Sequence, residues 1–511
     1  MSIWNVSAAL ANTASDGVTS AMDKLKIFFV FLLLFSLSFS GLAQSGKTPL
    51  TRRVFVSGST LPPPIKPPKV AVDVLIAGGT VVTMDKYRRV IENGAVAISK
   101  DKIVGVGTTN ELLKLYRPLR TINAAGKVII PGLINTHTHA AMSLFRGIAD
   151  DLDLNDWLTK YIFPAEAKNV TEQLVRAGTR LALAEMIRGG TTTYCDMYYF
   201  EDAVADESKK AGVRGVLGET IIDFPVADNK TNAEAMAYTE KFIKKWTGDP
   251  LIVPAAAPHA PYTVSTEHLK AIRAMSDRLK SPVVIHVSET RKEYNDIKTK
   301  YGKHPVGYLD SIGFLSNRTI MAHVVFLSYE DGEMKILKDR GVGIAHNPQS
   351  NMKLASGVAA VPFMLIDDLA VGLGTDGAAS NNDLDMWEEM DTAAKLHKVI
   401  SGDPKTLPAE QAFEMATIRG ARALHLDEIT GSIETGKRAD IDIVDMDSLH
   451  QTPWYNVYSA LVYTTKASDV RTVIINGRVV MLDRRLLTLN ESVIKIDANA
   501  YRKKIIDSLR N

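Results

Sequence analysis

Two histidines separated by one residue are the first sign of chemistry in this chain. His137 and His139 lie in "INTHTH", a few residues after the apolar run "KVII". In a β-strand, side chains at positions i and i+2 point to the same face, so both imidazoles can reach one metal ion. A single histidine is more often a packed core residue, and the pair alone does not establish a metal site. Further ligands are required elsewhere in the chain.

Three more candidate ligands each follow an apolar run. His286 lies in "VVIHVSE", His323 in "MAHVV" and Asp376 in "GLGTDG". Three imidazoles and one carboxylate around an open position suit Zn²⁺, with Fe²⁺ as an alternative, and disfavour metals that prefer thiolates. Such a metal would acidify a bound water for hydrolysis. Glu289, three residues after His286, is placed to shuttle a proton to the leaving group.

These polar groups need a scaffold that brings the ends of several strands together. After Pro131, apolar β-rich runs alternate with helical patterns, including helices over 231–246 and 266–279. Repeated β and α units predict a parallel sheet covered on both faces, and roughly eight such units is the number in a (β/α)8 TIM barrel. We therefore predict a barrel over residues 131–430, with its site at the carboxyl ends of the strands.

Strand-like alternation also occurs on both sides of the predicted barrel. Residues 71–130 contain short alternating runs with turn signals between them, typical of antiparallel strands, and the pattern returns over 431–485. We predict that the two flanks combine into one composite β-sandwich, so that the fold class is α/β. Residues 486–511 form a separate C-terminal segment.

The N-terminus has a different composition. Residues 22–44 contain two lysines, an apolar stretch and then small residues, which is the three-part build of a secretory signal peptide. We predict an upstream extension and signal peptide over 1–43, a Pro-rich linker over 44–70, and export to the periplasm or outside the cell. The processed chain would have no permanent membrane span. An uncleaved N-terminal membrane anchor is the alternative.

Charge and composition exclude one class of partner. The 511 residues include 60 Lys and Arg and 58 Asp and Glu, which gives a net charge of +2 without long runs of one sign. This pattern lacks the basic footprint of a nucleic-acid-binding protein. Hydrophobic residues make up 46% and charged residues 23%, as in ordinary soluble globular proteins.

Longer motifs resemble a known family. The chain contains, in order, "PGLINTHTHAAMSLFRGIADDLDLNDWL", "HVSET", "HNPQSNMKLASG", "GTDGAASNNDLDM" and "GSIETGKRADIDIVD". Together they resemble the amidohydrolase superfamily, and within it the branch of 5-methylthioadenosine/S-adenosylhomocysteine deaminases and the related triazine hydrolases. The resemblance covers about residues 71–485. It implies one metal ion per chain and the hydrolytic deamination of adenosine-type nucleosides to the inosine analogue and ammonia.

The resemblance also implies catalytic roles by position. The residues that match the metal ligands are His137, His139, His286 and Asp376. Glu289 matches the glutamate that protonates the purine ring, and His323 matches the histidine that holds the attacking water. Asp376 would also take the proton of that water.

Three further residues match substrate contacts of the family. Glu166 in "FPAEA" matches a carboxylate that accepts hydrogen bonds from ribose hydroxyls, and His259 in "APHAPY" matches a histidine that faces the sugar and its 5′ group. Trp157 in "NDWL" matches an apolar wall of the pocket, and Glu289 and Asp376 would also touch the substrate. Simpler interpretations stay open for two of them: a solvated helix face for Glu166 and core packing for Trp157.

One feature departs from the family pattern. The deaminases with the best-matched motifs use arginines between the second and fourth barrel strands to bind the 5′ group, but this chain has no arginine between Arg214 and Arg273. Because a bidentate arginine is the usual partner of a carboxylate, we expect small 5′ groups to be preferred. Lysines that could substitute are Lys230, Lys241, Lys244 and Lys245.

Two other functions stay open at this point. The same machinery would serve an aminohydrolase or chlorohydrolase of another nitrogen heterocycle, such as a triazine, guanine, cytosine or a pterin, but these substrates do not need Glu166 and His259. A catalytically silent scaffold relative is the second alternative, and the complete set of ligands together with Glu289 argues against it. The resemblance also favours a homo-oligomer.

Overall fold

The structure, a computed structural model, describes residues 68–510. The predicted signal peptide and nearly all of the Pro-rich linker lie outside the described residues. Two sheets organise the described chain, one of nine strands and one of eight. Within residues 68–510 no helix is both long enough and apolar enough to cross a membrane.

The strands, numbered in chain order, are β1 (Val70–Val82), β2 (Val90–Ser99), β3 (Lys102–Thr108), β4 (Tyr116–Asn123), β5 (Lys127–Pro131), β6 (Leu133–Thr138), β7 (Thr191–Tyr198), β8 (Arg214–Ile221), β9 (Ile252–Pro258), β10 (Val283–Val287), β11 (Thr319–His323), β12 (Gly343–His346), β13 (Ala370–Leu373), β14 (Ile441–Asp445), β15 (Val470–Ile475), β16 (Arg478–Leu482) and β17 (Arg485–Leu486).

The α-helices are α1 (Thr109–Leu115), α2 (Leu154–Asp156), α3 (Phe163–Asn169), α4 (Glu172–Gly189), α5 (Glu201–Ala211), α6 (Asn232–Trp246), α7 (Thr266–Leu279), α8 (Arg291–Tyr301), α9 (Pro305–Ser311), α10 (Glu333–Arg340), α11 (Pro348–Lys353), α12 (Val361–Ile366), α13 (Met386–Ser401), α14 (Ala409–Met415), α15 (Ile418–Ala423), α16 (Val457–Tyr463) and α17 (Glu491–Arg510). Short 3₁₀ helices cover Ala140–Phe145, Leu449–Gln451 and Ala467–Asp469, and a π-helix covers Trp157–Ile162.

Strands β6 to β13 form the eight-stranded sheet in sequence order, and neighbouring strands run parallel. Every residue of β7 and β8 is buried, as expected for parallel strands that have helices on one face and the barrel interior on the other. Alternate residues such as Cys195, Met197, Val216 and Val284 belong to one apolar cluster. The predicted α/β fold and (β/α)8 barrel are confirmed.

The first and last barrel strands meet beside two of the predicted metal ligands. The backbone N–H of Asp376 donates to the carbonyl of His137 at 2.9 Å. Next to it, the Asn135 side chain donates to Thr375 Oγ1 at 2.7 Å. A Cβ on Gly374 would lie 2.8 Å from His137 N, so only glycine fits where the two strands approach. The seam of the barrel therefore aligns the ends of β6 and β13.

The nine-stranded sheet combines both flanks of the barrel, as predicted. Strand β5 of the N-terminal flank pairs antiparallel with β14 of the C-terminal flank, with Ile129 opposite Ile443. On β2, Val96 and Ile98 pack into one apolar cluster, whereas Ala95 and its neighbours on the other face pack into a second.

One detail of this sheet differs from the expectation of antiparallel strands. Strands β1, β2 and β3 are antiparallel, but β1 pairs parallel with both β4 and β5. The chain passes through helix α1 between β3 and β4, and this crossover lets β4 return in the same direction as β1.

A buried ion pair joins the barrel to the composite sheet. Arg214, the first residue of β8, places Nη2 3.0 Å from Oδ2 of Asp440, and both side chains are 1% exposed. Thr430 Oγ1 donates to the same carboxylate at 2.8 Å, and the Asn476 N–H donates at 2.7 Å. Full hydrogen bonding of a buried pair offsets its desolvation, and removing one partner leaves a buried charge alone.

We therefore expect Asp440→Ala to lower the free energy of unfolding by about 3–5 kcal/mol, because it leaves the Arg214 guanidinium buried without a counter-charge. Urea denaturation followed by circular dichroism measures the change. The control is Lys395→Ala, which removes an exposed ion pair to Asp391 and should cost about 1 kcal/mol or less. Equal effects of the two substitutions would contradict this account of the junction.

Candidate active site

The barrel brings the four predicted metal ligands to one point. His137 lies on β6 and His139 directly follows it, His286 lies on β10, and Asp376 follows β13. Oδ1 of Asp376 lies 3.5 Å from Nε2 of His137 and 3.3 Å from Nε2 of His139. Nε2 of His286 lies 3.3 Å from Nε2 of His139. Side chains far apart in the sequence therefore converge at the carboxyl ends of three strands.

These distances fit a divalent metal. Ligands arranged tetrahedrally at the Zn–N and Zn–O bond lengths of about 2.0–2.1 Å lie about 3.3 Å from one another. Both ring nitrogens of His137 are buried and have no hydrogen-bond partner among the described residues. A buried imidazole without a partner is costly, and a metal would satisfy Nε2.

Neighbouring groups orient the ligands. His139 donates Nδ1–H to the carbonyl of Met197 at 2.6 Å, and His286 donates Nδ1–H to the carbonyl of His259 at 2.8 Å. Because the proton lies on Nδ1 in both rings, each Nε2 lone pair is free to bind a metal. Ser350 Oγ donates to Oδ2 of Asp376 at 2.6 Å, which leaves Oδ1 toward the histidines.

His323 and Glu289 lie beside this cluster. Nε2 of His323 is 3.8 Å from Oε2 of Glu289, and Nδ1 donates to Oδ1 of Asn351 at 2.9 Å. The nitrogens of His137, His286 and His323 are also close enough to share an ion. His323 and Asp376 have φ angles of 74° and 62°, in the left-handed region that non-glycine residues rarely adopt. Such strain is typical of functional positions at strand ends.

Burial sets the charge of these groups. It lowers the pKa of His137 to about 4 and that of His286 well below the usual value, so both rings are neutral and able to bind a metal. Burial raises the pKa of Glu289. For Asp376, burial also favours the neutral acid, but the surrounding histidines outweigh it and hold the pKa well below its usual range.

An open pocket of about 630 Å³ lies over the cluster. It contains every residue predicted to touch the substrate, together with most of the metal-ligand set and an apolar wall. The lining residues are His139, Met142, Leu154, Trp157, Leu158, Ile162, Phe163, Glu166, Met197, Tyr198, Tyr199, Thr220, His259, Tyr262, His286, Glu289, His323, Leu354 and Asp376.

The structure excludes the alternative interpretation of Glu166, whereas Trp157 both lines the pocket and belongs to the main apolar cluster, so its core-packing interpretation stays open. Glu166, on α3, is 6% exposed and accepts a hydrogen bond from the Tyr198 hydroxyl at 2.7 Å, so it does not lie on a solvated helix face. Burial raises the pKa of Glu166 to about 7. Trp157 begins the π-helix and lines the pocket at 7% exposure. Short π-helices often occur at functional sites.

The pocket has no basic side chain except histidine. Neither lysine nor arginine occurs among its lining residues in the described chain. The candidate lysines lie elsewhere: Lys244 is 2.5 Å from Glu240, Lys245 bonds Asp202 at 2.7 Å, and neither lines the pocket. Lys230 donates to a backbone carbonyl, and Lys241 is likewise outside the pocket.

Sequence reasoning missed several residues that support the site. Tyr198 ends β7, so the rule that polar groups at strand ends form the site would have found it. Glu293 accepts the backbone N–H groups of Ser288 and Glu289 at 2.8 and 2.9 Å and so holds the loop that carries Glu289. Asn351 accepts a hydrogen bond from Nδ1 of His323 at 2.9 Å. No local pattern indicates these last two contacts.

Comparison with known proteins agrees with this geometry. The model of the amidohydrolase family matches residues 128–480. The chain is 47% identical over 439 residues to the 5-methylthioadenosine/S-adenosylhomocysteine deaminase 1 of Syntrophus aciditrophicus, covering 86% of this chain and 99% of that protein. It is 43% identical over 437 residues to the 5′-deoxyadenosine deaminase of Methanosarcina acetivorans, covering 85% and 98%.

A solved structure extends the comparison. The crystal structure of an adenosine deaminase from Xanthomonas campestris with bound zinc has a TM-score of 0.84 and 39% identity, and the match covers 86% of this chain and all of that one. The chain belongs to the amidohydrolase family.

We expect about one divalent metal per chain in the purified protein, and His137→Ala should lose both metal and activity because one of four protein ligands is gone. Elemental analysis by mass spectrometry measures the stoichiometry. His268→Ala is the control, because His268 lies on α7 and pairs with Asp223 on the surface. Active protein without metal, or equal metal content in the two variants, would contradict the assignment.

Proposed function

We propose that this protein hydrolytically deaminates adenosine-type nucleosides at C6 of the purine, giving the inosine analogue and ammonia. One observation carries the proposal: a single pocket contains most of the candidate metal ligands, the buried acid Glu289, and a second buried carboxyl, Glu166, which has no basic partner within residues 68–510. The first two groups suit hydrolysis of an amidine, and the third suits a sugar with hydroxyl donors. The names of the deaminase relatives support the same substrate class.

We assign the proton transfers to two carboxyl groups. Burial raises the pKa of Glu289 and so favours its acid form, which would give a proton to a ring nitrogen as water adds to C6. Asp376, which stays ionised beside the histidines, takes a proton from the water and passes it to the amino group. Ammonia then leaves as the C6 hydroxyl becomes the carbonyl and returns its proton to Glu289, so that one water is consumed and both carboxyl groups regain their starting states. His323 lies where it can orient the water against Glu289.

We infer that the ligand cluster holds one zinc ion, with iron(II) as the alternative. His137, His139, His286 and Asp376 would bind it through three nitrogens and one oxygen, a donor set that suits zinc. When bound, the metal supplies a Lewis acid that allows water to act as a nucleophile near neutral pH. The bound zinc of the Xanthomonas campestris deaminase is in line with this choice.

We assign the nucleoside contacts to the remaining lining residues. Glu166 would accept hydrogen bonds from the ribose hydroxyls, His259 would face the sugar and its 5′ group, and Trp157 would close the apolar side. Burial lowers the pKa of His259 to about 3, so this ring is neutral and cannot act as a cation for a carboxylate. The pocket is therefore suited to an uncharged 5′ substituent.

Two further parts of the proposal come from the sequence. The signal-like segment over 22–44 supports export of the chain, with a membrane anchor as the alternative. The family resemblance supports a homo-oligomer. The N-terminal sequence of protein from the native host and its mass in solution by light scattering test the two points separately.

Glu289→Gln should retain the metal but lower kcat about 100-fold or more, because the amide has the shape of the carboxyl but cannot transfer a proton. Steady-state ammonia release and elemental analysis on the same sample measure both properties. Glu330→Gln, on an exposed loop after β11, is the matched control and should retain full activity. Near-normal turnover of Glu289→Gln would assign the proton shuttle to another residue.

Substrate comparison tests the proposal as a whole. We expect adenosine, 5′-deoxyadenosine and 5′-methylthioadenosine to be deaminated with kcat/KM at least about tenfold higher than S-adenosylhomocysteine, since an unpaired substrate carboxylate costs several kcal/mol to bury. Guanine, cytosine and adenine lack the ribose and should be poor substrates. A preference for a free base would contradict nucleoside deamination, and a preference for S-adenosylhomocysteine would contradict only the 5′ specificity.

A further inference from the structure

Glu166 is held by one side chain of the barrel. Its Oε1 accepts a hydrogen bond from the Tyr198 hydroxyl at 2.7 Å, and the Tyr198 side chain is almost completely buried. Within residues 68–510 Glu166 has no ion pair, and Oε2 has no hydrogen-bond partner. One carboxyl oxygen is therefore held by the protein, the other has no hydrogen-bond partner within the described residues, and Glu166 lines the pocket.

The two partners come from different parts of the fold. Glu166 lies on α3, in the segment between the first barrel strand and α4, directly after the π-helix. Tyr198 is the last residue of β7, and the preceding carbonyl of Met197 accepts the Nδ1–H of His139. The hydroxyl of Tyr198 thus has a fixed position relative to a metal ligand, whereas the carboxyl of Glu166 lies outside the barrel strands.

We propose that Tyr198 is a positioning residue for ribose recognition: its hydroxyl fixes Oε1 of Glu166 so that Oε2 faces the 2′ and 3′ hydroxyls of the nucleoside. This inference rests on the proposed function and names the group that sets its sugar specificity. Tyr198 acts through Glu166 and takes no part in the proton transfers at C6.

The pKa of Glu166 supports the same role for Tyr198. Burial raises the pKa of Glu166 to about 7, and the hydrogen bond from Tyr198 opposes that rise. A carboxylate accepts hydrogen bonds at both oxygens, whereas a neutral acid has one donor and fewer acceptor sites. Loss of the tyrosine hydroxyl would leave Oε1 buried without a partner and would favour the neutral acid, which binds a diol less well.

The test compares two substrates that differ only in the diol. Wild-type and Tyr198→Phe holoenzymes are assayed on adenosine and on 2′,3′-dideoxyadenosine, and the latter is measured as a competitive inhibitor if its turnover is slow. We expect Tyr198→Phe to lower kcat/KM for adenosine about 10- to 100-fold, mainly by raising KM, which corresponds to the loss of a hydrogen bond to a charged group. The dideoxy analogue should change by less than about twofold.

Tyr194→Phe is the matched control. Tyr194 lies on the same strand and donates or accepts a buried hydrogen bond with Ser208 Oγ at 2.6 Å, away from the pocket. Tyr194→Phe also removes a buried hydroxyl contact, so any change that it causes in kcat/KM should be the same for both nucleosides. An equal loss on both substrates in Tyr198→Phe would show a general structural role and overturn the proposal. No loss on adenosine would also overturn it.

A double-mutant cycle gives an independent readout. If Tyr198 acts through Glu166, then Tyr198→Phe should cause no further loss on adenosine in a Glu166→Gln background, whereas independent roles would give additive losses and overturn the proposal. Absence of adenosine deamination by the wild-type holoenzyme is a different result, because it overturns the proposed function itself.

Discussion

The contact between His137 and Asp376 is the constraint on which the rest of the structure depends. His137 lies near the end of the first barrel strand and Asp376 lies three residues after the last one. The Asp376 N–H donates to the His137 carbonyl at 2.9 Å, and Oδ1 of Asp376 lies 3.5 Å from Nε2 of His137. The same contact therefore joins the first and last strands of the barrel and brings two candidate metal ligands together. The buried imidazole and carboxylate would each be costly alone, and the seam supplies each with the other.

Around this seam, the candidate metal ligands and the groups proposed to contact the sugar lie on different elements of the fold. The metal ligands lie on strands or within one turn of them, where packing on both faces fixes their positions. Groups proposed to contact the sugar, such as Glu166 and Trp157, lie on helical segments beyond the strand ends.

Burial in and around the pocket favours the neutral forms of several titratable side chains. Burial raises the pKa of Glu166 and of Glu293 to about 7 and also raises that of Glu289, while it lowers the pKa of His259 to about 3. With no lysine or arginine among the lining residues of the described chain, the site offers nearly neutral hydrogen-bonding groups. Such a surface complements an uncharged nucleoside, whereas a substrate with a charged tail would lose its hydration without gaining a partner.

The sequence by itself predicted the barrel and two of its helices from local periodicity, and it gave the candidate metal ligands from their positions after apolar runs and from the family resemblance. The predicted helices over 231–246 and 266–279 match α6 and α7, and the i, i+2 spacing of His137 and His139 predicted that both point the same way at the end of β6. Tertiary structure alone decided the parallel pairing of β1 with β4, the hydrogen bond of Tyr198 to Glu166 across 32 residues, and that of Asn351 to His323 across 28. Such contacts depend on strand register and on where loops pack, which no short stretch of sequence encodes.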